Sequence, residues 1–275
     1  MVRMLAEQIS RAHGITILVE NRPGANQVIG TEAVSRAAPD GNTLLSITSA
    51  FVTAPHLRKL TYDPRTSFEP ICLLTQSPGV IVVNSSSPYG TFNDLMSAAR
   101  AKPGNLTLAS VGPAGALHIS FEILKRAANV DITFVPFQGM ALAINALLGE
   151  HVTTVFADYP SVAEQLKTGK LRALATTSLR RIEALPAVPT VAESYNDYEA
   201  DLWNGMVAPA KTPKETVSEL VGWFTNALQV PEIKAKLAVQ GFIPAAMCGA
   251  DFGALIRKQY DSFGRAIREA NIKAE

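Results

Sequence analysis

The chain has 275 residues, 47% of them apolar and 18% charged, with 25 Lys and Arg against 24 Asp and Glu. That length supports one large or two medium domains with a substantial core, and the balanced charge, without a basic cluster or an aromatic-bearing basic stripe, argues against nucleic acid as a partner. No run approaches the roughly 20 apolar residues that span a bilayer, and two distant cysteines with four scattered histidines form no zinc pattern.

In chain order, residues 1–13 set Arg3, Glu7, Gln8 and Arg11 among apolar positions. This predicts an amphipathic helix and not the uninterrupted apolar core of a signal peptide. A strand is expected at 15–19, a helix at 31–37 and a strand at 43–47. Further β-branched runs predict strands at 79–83, 106–110, 132–135, 153–157 and 172–176. Helical patterns fill the intervals, with Leu117, Phe121, Leu124 and Ala128 on one face. This alternation predicts an α/β protein of doubly wound type, whose crossovers imply parallel strands and whose ligands sit at the strands' carboxyl ends. Pro136, Pro160, Pro186 and Pro189 fall at expected element edges, where a missing N–H is tolerated. Cys72 lies in the apolar run 70–74 and Cys248 in the small-residue segment 245–250. Two buried free thiols are the plainer expectation, and a disulfide is the alternative that spacing leaves open.

Chemistry is expected where strands run into helices. Ser110 to His118 carries a strand end through Gly112 and Gly115 into an amphipathic helix. Glycine lets backbone approach a ligand, and first-turn N–H groups, here those of Gly115 and Ala116, have no intrahelical partner. Such a turn is either a tight connection or an anion site, to which the dipole contributes about 0.3 to 1 kcal/mol. The segment Phe137-Gln138-Gly139 repeats the arrangement. Gln138 offers an amide donor and acceptor, Phe137 either packs under the loop or walls a ligand, and Gly139 is expected to serve backbone geometry. Asp158, at a strand end, is a solvated carboxylate or a partner for a ligand amine or hydroxyl. Thr48, Ser49 and Ala50 follow another strand, either as hydroxyl-bearing contacts for a carboxylate or as plain turn residues. His118 is expected to satisfy a local polar group, and His13, His56 and His151 to be solvated. Catalytic motifs are absent: no G-x-S-x-G elbow, no phosphate loop at Gly169-Lys170-Leu171 and no H-E-x-x-H.

The stretch Glu20 to Gly41, ENRPGANQVIGTEAVSRAAPDG, resembles the Bug or TctC family of extracytoplasmic solute receptors. The segments LTYDP at 60–64, VPFQG at 135–139, GKLRALA at 169–175, LPAVPTVAE at 185–193 and APAKTP at 208–213 extend the resemblance in register. It implies two Rossmann-like lobes of the type II periplasmic-binding-protein kind. The first comprises 1–80 with 207–275 and the second 81–206, and the chain crosses at 79–84 and 203–208. The implied function is capture of a small carboxylate (a di- or tricarboxylate, amino acid or aromatic acid) between the lobes by a periplasmic monomer. Hinge closure then presents a changed surface to the membrane permease of a tripartite tricarboxylate transporter. No cofactor, metal or catalysis is implied. Gln138, Asp158 and Trp203 would distinguish the ligand body, while Gly112 and His118 match the family's glycine- and hydroxyl-rich loop. Ala114, Gly115 and Ala116 depart from it, so side-chain hydroxyls give way to backbone donors. The resemblance also implies a leading strand and ligand loop, so the first strand is expected to be missing from the amino end of this chain. The rival expectation is a lyase or hydrolase on the same fold, with His118 or Asp158 as general base.

Overall fold

The computed structural model describes residues 1–22, 24, 27–112, 115–196, 198 and 202–273. Pro23, Ala25 and Asn26 of the first motif, and Pro113 and Ala114 of the loop before His118, lie outside the described residues. By internal contacts the chain forms two compact units, Met1–Gln76 with Trp203–Arg265 and Ser77–Leu202 with Ala266–Glu275.

In chain order the first unit begins with α1 (Val2–His13), α2 (Val28–Ser35), β1 (Leu45–Thr48), α3 (Ala50–Leu57) and β2 (Phe68–Ser77). Helix α1 buries Leu5, Ala6 and Ile9 along one stripe and stops at Gly14, whose φ of 67° suits glycine and whose N–H donates to the Ser10 carbonyl. The second unit carries β3 (Gly79–Asn84), α4 (Phe92–Ala101), β4 (Thr107–Val111), α5 (Ala116–Ala128), β5 (Thr133–Phe137), α6 (Met140–Leu148), β6 (Thr154–Asp158), α7 (Tyr159–Lys167) and β7 (Leu171–Thr176). The chain returns through β8 (Leu202–Pro209) to α8 (Lys214–Gln229), α9 (Pro231–Val239), β9 (Ile243–Cys248) and α10 (Ala250–Glu269).

The first unit's sheet has the order β1-β8-β2-β9. β1 runs antiparallel to β8, with Leu45 opposite Val207, and β2 antiparallel to β9, with Cys72 opposite Cys248. Those cysteines are bonded to each other, which corrects the expectation of two free thiols: register, invisible in sequence, brings together residues 176 apart. Ile71 and Leu74 of β2 and Met206 of β8 pack with Leu5, Leu220, Phe224 and Leu237 into one core.

The second unit's sheet has the order β5-β4-β6-β3-β7. β4 is parallel to both β5 and β6, but β3 is antiparallel to β6 and β7. The expected parallel pairing therefore holds for β4, β5 and β6 and is corrected for β3. β3 continues from β2 through Pro78 alone, so its direction is set by that entry and not by a helical crossover. Alternation along β3 covers both faces: Val80 and Val82 pack with Ala143, Ile144, Leu147 and Val162, while Ile81 and Val83 pack with Phe92, Leu95, Phe121 and Leu124. Pro136 lies in β5, an edge strand where its missing N–H breaks no ladder. Pro160 opens α7.

The strand expected at 15–19 is not formed. Among the described residues the segment pairs with no strand of the sheet, and Leu18 is 88% exposed. A β-branched run lacking an adjacent strand edge has no ladder to join. The strand β9 went unread because Ile243–Cys248 is mostly small residues with weak strand preference.

Candidate functional site

Register places three strand ends side by side in the second unit. Val111 of β4 lies opposite Phe137 of β5, and Ala109 of β4 lies opposite Val155 of β6, whose last residue is Asp158. Each end leads at once into a helix: Gly115 caps α5, Gly139 caps α6 and Asp158 caps α7. Three helix N-termini therefore converge on one rim, with first-turn N–H groups facing the strand ends' edge of the sheet.

Gly112 has a φ of 52°, which only glycine adopts cheaply, and its N–H donates to the Phe137 carbonyl at 3.1 Å. That bond ties the α5 loop to the α6 loop. Gly115 has a φ of −73° and ψ of 162° with no side-chain cap, and an added Cβ would meet only the Val111 and Gly112 carbonyls at 3.5 and 3.7 Å. Gly139 is extended at φ 177°, and an added Cβ would meet nothing within 4 Å. Backbone geometry, the expected reason for this glycine, thus does not require it. Phe137 is half-buried against the core under α6, whereas Gln138 is exposed. Asp158 differs in charge from the other two caps, and its Oδ1 accepts a 2.8 Å hydrogen bond from Ser161 Oγ.

The rim is held from below. Buried Ser110 donates through Oγ to the Phe156 carbonyl at 2.7 Å, joining β4 to β6. Gly79 sits opposite Asp158, and a Cβ there would come within 2.5 Å of the Phe156 ring and 2.9 Å of Thr177 Oγ1. Two buried hydroxyls near this edge, Ser77 Oγ and Thr176 Oγ1, make no hydrogen bond. Neither was singled out from sequence, where Ser and Thr at strand ends look alike whether paired or not.

His118 does not reach the rim. Its ring stacks on Phe134 at 3.9 Å between centroids, three positions short of Phe137, and its Nε2 lies 3.8 Å from Glu122. Burial, with a smaller contribution from Lys125, lowers its pKa to about 4, so at neutral pH it is neutral and the Glu122 contact is not an ion pair. Trp203 is also corrected as a ligand contact. It is 2% exposed, its Nε1 donates to Gln259 and its ring meets Phe252 edge-on, so no polar atom is left to offer.

In the first unit Thr48, Ser49 and Ala50 join β1 to α3. The Thr48 hydroxyl is already engaged, donating to Gln27 Oε1 at 3.1 Å and accepting from the Ala50 N–H at 3.3 Å. Ser49 is buried and makes no side-chain cap. Gln27 is the residue missed here. It holds a φ of 73° and takes the Thr48 N–H as well, at 3.4 Å. Its place between a Gly-bearing loop and α2 was the available signal. Among the described residues no group of three His, Cys, Asp or Glu could hold a metal ion, and no helix is long and apolar enough to cross a membrane.

Residues 1–272 match the tripartite tricarboxylate transporter family receptor, TctC. The chain belongs to the TctC family. This TctC member is 30% identical to protein BugT of Bordetella pertussis over 99% of its own length and 85% of BugT. Its fold is similar to that of a TctC solute-binding protein from Polaromonas, with a TM-score of 0.90, 26% identity and coverage of 97% of this chain and 92% of the other. An R. palustris protein whose structure contains adipate is 28% identical, with a TM-score of 0.79 and coverage of 99% and 92%. Family and fold are those of solute-binding receptors.

Proposed function

We propose that this TctC protein is a periplasmic receptor that takes up a small carboxylate for a tripartite tricarboxylate transporter and releases it unchanged. The observation that carries the reading is the convergence of three helix N-termini on one rim of the second unit, none with a side-chain cap hydrogen bond and one carrying the Asp158 carboxylate. N–H groups of Gly115, Ala116 and the Gly139 turn suit a carboxylate. Asp158 repels one, and so selects the other end of the ligand: a hydroxyl or an amine. Gln138, exposed beside it, adds one donor and one acceptor.

The adipate in the R. palustris relative supports the carboxylate class, and the Cys72–Cys248 disulfide supports an oxidising compartment outside the cytoplasm.

A thermal-shift panel tests the reading. Adipate, malate, aspartate and benzoate are compared with glucose and inorganic phosphate. A carboxylate at 100 times its Kd adds about 2.7 kcal/mol, while glucose and phosphate leave the melting temperature unchanged. The bound acid is recovered intact after incubation. A panel without a carboxylate shift, or recovery of a converted product, removes the proposal.

A further inference from the structure

A cavity of about 260 Å³ lies at the end of the second unit's sheet opposite the rim, where β3 ends and β4 and β6 begin. Its walls are fixed from outside. Arg172 of β7 donates to the carbonyls of Ser85, Ser87 and Tyr89 and so pins the loop that follows β3. Thr107 and Thr153 tie the starts of β4 and β6 together, each Oγ1 accepting the other residue's N–H, at 3.2 and 2.9 Å. Buried Leu147 and Val152 supply an apolar wall, and Tyr89 and Glu150 share the lining with them.

One residue of this lining breaks a local rule. Helix α6 closes with the Glu150 N–H donating to the Leu147 carbonyl and the His151 N–H to the Ala146 carbonyl, a turn whose left-handed residue is usually glycine. Gly149 stands one position too early, at φ −84°, and Glu150 takes the left-handed place at φ 59°. The backbone strain that a side chain meets there sets a carboxylate into the cavity wall. Glu150 Oε1 accepts from Ser86 Oγ at 2.7 Å, and the Ser86 N–H is held by Asn84 Oδ1 at 3.1 Å. One such bond leaves the carboxylate most of its acceptor capacity.

We infer that this cavity binds an organic cation, an ammonium or guanidinium at the end of a short aliphatic arm, with Glu150 as its counter-ion. Charge sets the sign of the guest: α6 ends at this wall and brings the negative end of its dipole there, and Glu150 adds a full negative charge. Arg172 does not oppose it, being engaged by three carbonyls of the loop and standing outside the lining. A single carboxylate suits an organic cation better than a bare divalent ion, which takes six or more oxygen ligands. Leu147 and Val152 match an aliphatic arm, and the Tyr89 ring offers a face to its charged end. The volume lies below the roughly 300 Å³ at which pockets for drug-sized molecules begin, so it selects a chain end over a ring system. A free diamine and a lysine or arginine side chain of another protein both present that chemistry.

The test does not depend on carboxylate binding at the rim. Cadaverine and agmatine, as free amines, and the acetylated amides of lysine and arginine, as side chains of a protein, are titrated into the full chain. Amide resonances of Ser86, Glu150 and His151 are followed by NMR. Saturable shifts at these three residues with either set support the site, and the set that binds more tightly names the source of the cation. Glu150→Gln keeps the turn and lowers affinity at least tenfold. Glu150→Gly relieves the left-handed strain, so it melts higher than the parent while losing the cation. Absence of shifts with all four compounds overturns the inference, and so do equal affinities in the parent and Glu150→Gln.

Discussion

Cys72 and Cys248 stand directly opposite each other on β2 and β9, and their bond ties the outer strand β9 to the middle of the first unit's sheet. A cross-link between residues 176 apart removes much freedom from the unfolded chain, about 5 kcal/mol on the loop-entropy model, with 2 to 4 kcal/mol typical of measurement. The double replacement of Cys72 and Cys248 by Ala is expected to lower the melting temperature by roughly 5–15 °C, and dithiothreitol to lower it comparably in the parent protein. Equal melting curves with and without reductant would show that β9 holds without its staple.

Gly115→Val separates binding from folding. The residue's φ of −73° is open to any side chain and its Cβ site is in ordinary contact only, so the variant is expected to melt within a degree or two of the parent. Bulk at the mouth of α5 should weaken carboxylate binding at least tenfold, about 1.4 kcal/mol. Gly112→Ala should behave in the opposite sense, costing about 1–2 kcal/mol of stability through its positive φ. Calorimetric titration with the best acid of the panel, beside a melting curve, reads both variants. Full affinity in Gly115→Val would move the carboxylate away from α5.

Asp158→Asn removes the one charge at the rim's helix caps while keeping the contact with Ser161. Amine- or hydroxyl-bearing acids should lose affinity by tenfold or more, and plain diacids should lose little or gain. Equal losses for aspartate and adipate would take Asp158 out of ligand discrimination.

His118 makes stability depend on pH in a known direction. Its folded pKa of about 4 lies below the ordinary 6.5 because the buried ring resists charging. The unfolded chain therefore binds the extra proton first. Stability is complete above pH 6.5 and declines as pH falls from 6.5 to 4. Partial solvation of the ring limits the loss to roughly 1–2 kcal/mol. His118→Gln should flatten the melting temperature over that window, and an unchanged slope would assign the acid sensitivity to other groups.

Legibility in the sequence followed local chemistry. Val80 to Val83, apolar at both parities, announced a strand buried on two faces, and the stripe of Leu117, Phe121 and Leu124 announced α5 and its buried side. The rim was legible for the same reason: glycines at 112, 115 and 139 mark strand-to-helix turns wherever they occur. What stayed hidden depended on partners distant in the chain. The Cys72–Cys248 bond, the reversed direction of β3 and the burial of Trp203 behind Gln259 each rest on register or packing across more than 50 residues. The direction His118 takes was hidden too, because a histidine after a glycine loop looks the same whether it turns to the rim or stacks on Phe134.

The second unit leaves the first through β2 and returns to it through β8, and these two strands are neighbours in one sheet. Synthesis therefore delivers the pieces out of order. Residues 77–202 emerge as a nearly finished unit while β2 still waits for β8 and β9 on its two sides. Domains fold as units when their residues are available, so the inserted unit matures first and the split one last. Until residue 248 arrives, Cys72 remains an unprotected thiol on a strand still open on its β9 side. Formation of the Cys72–Cys248 bond is then the latest event in maturation, and a time-resolved thiol-trapping experiment on the nascent protein would show Cys72 reactive long after the rim has closed to exchange.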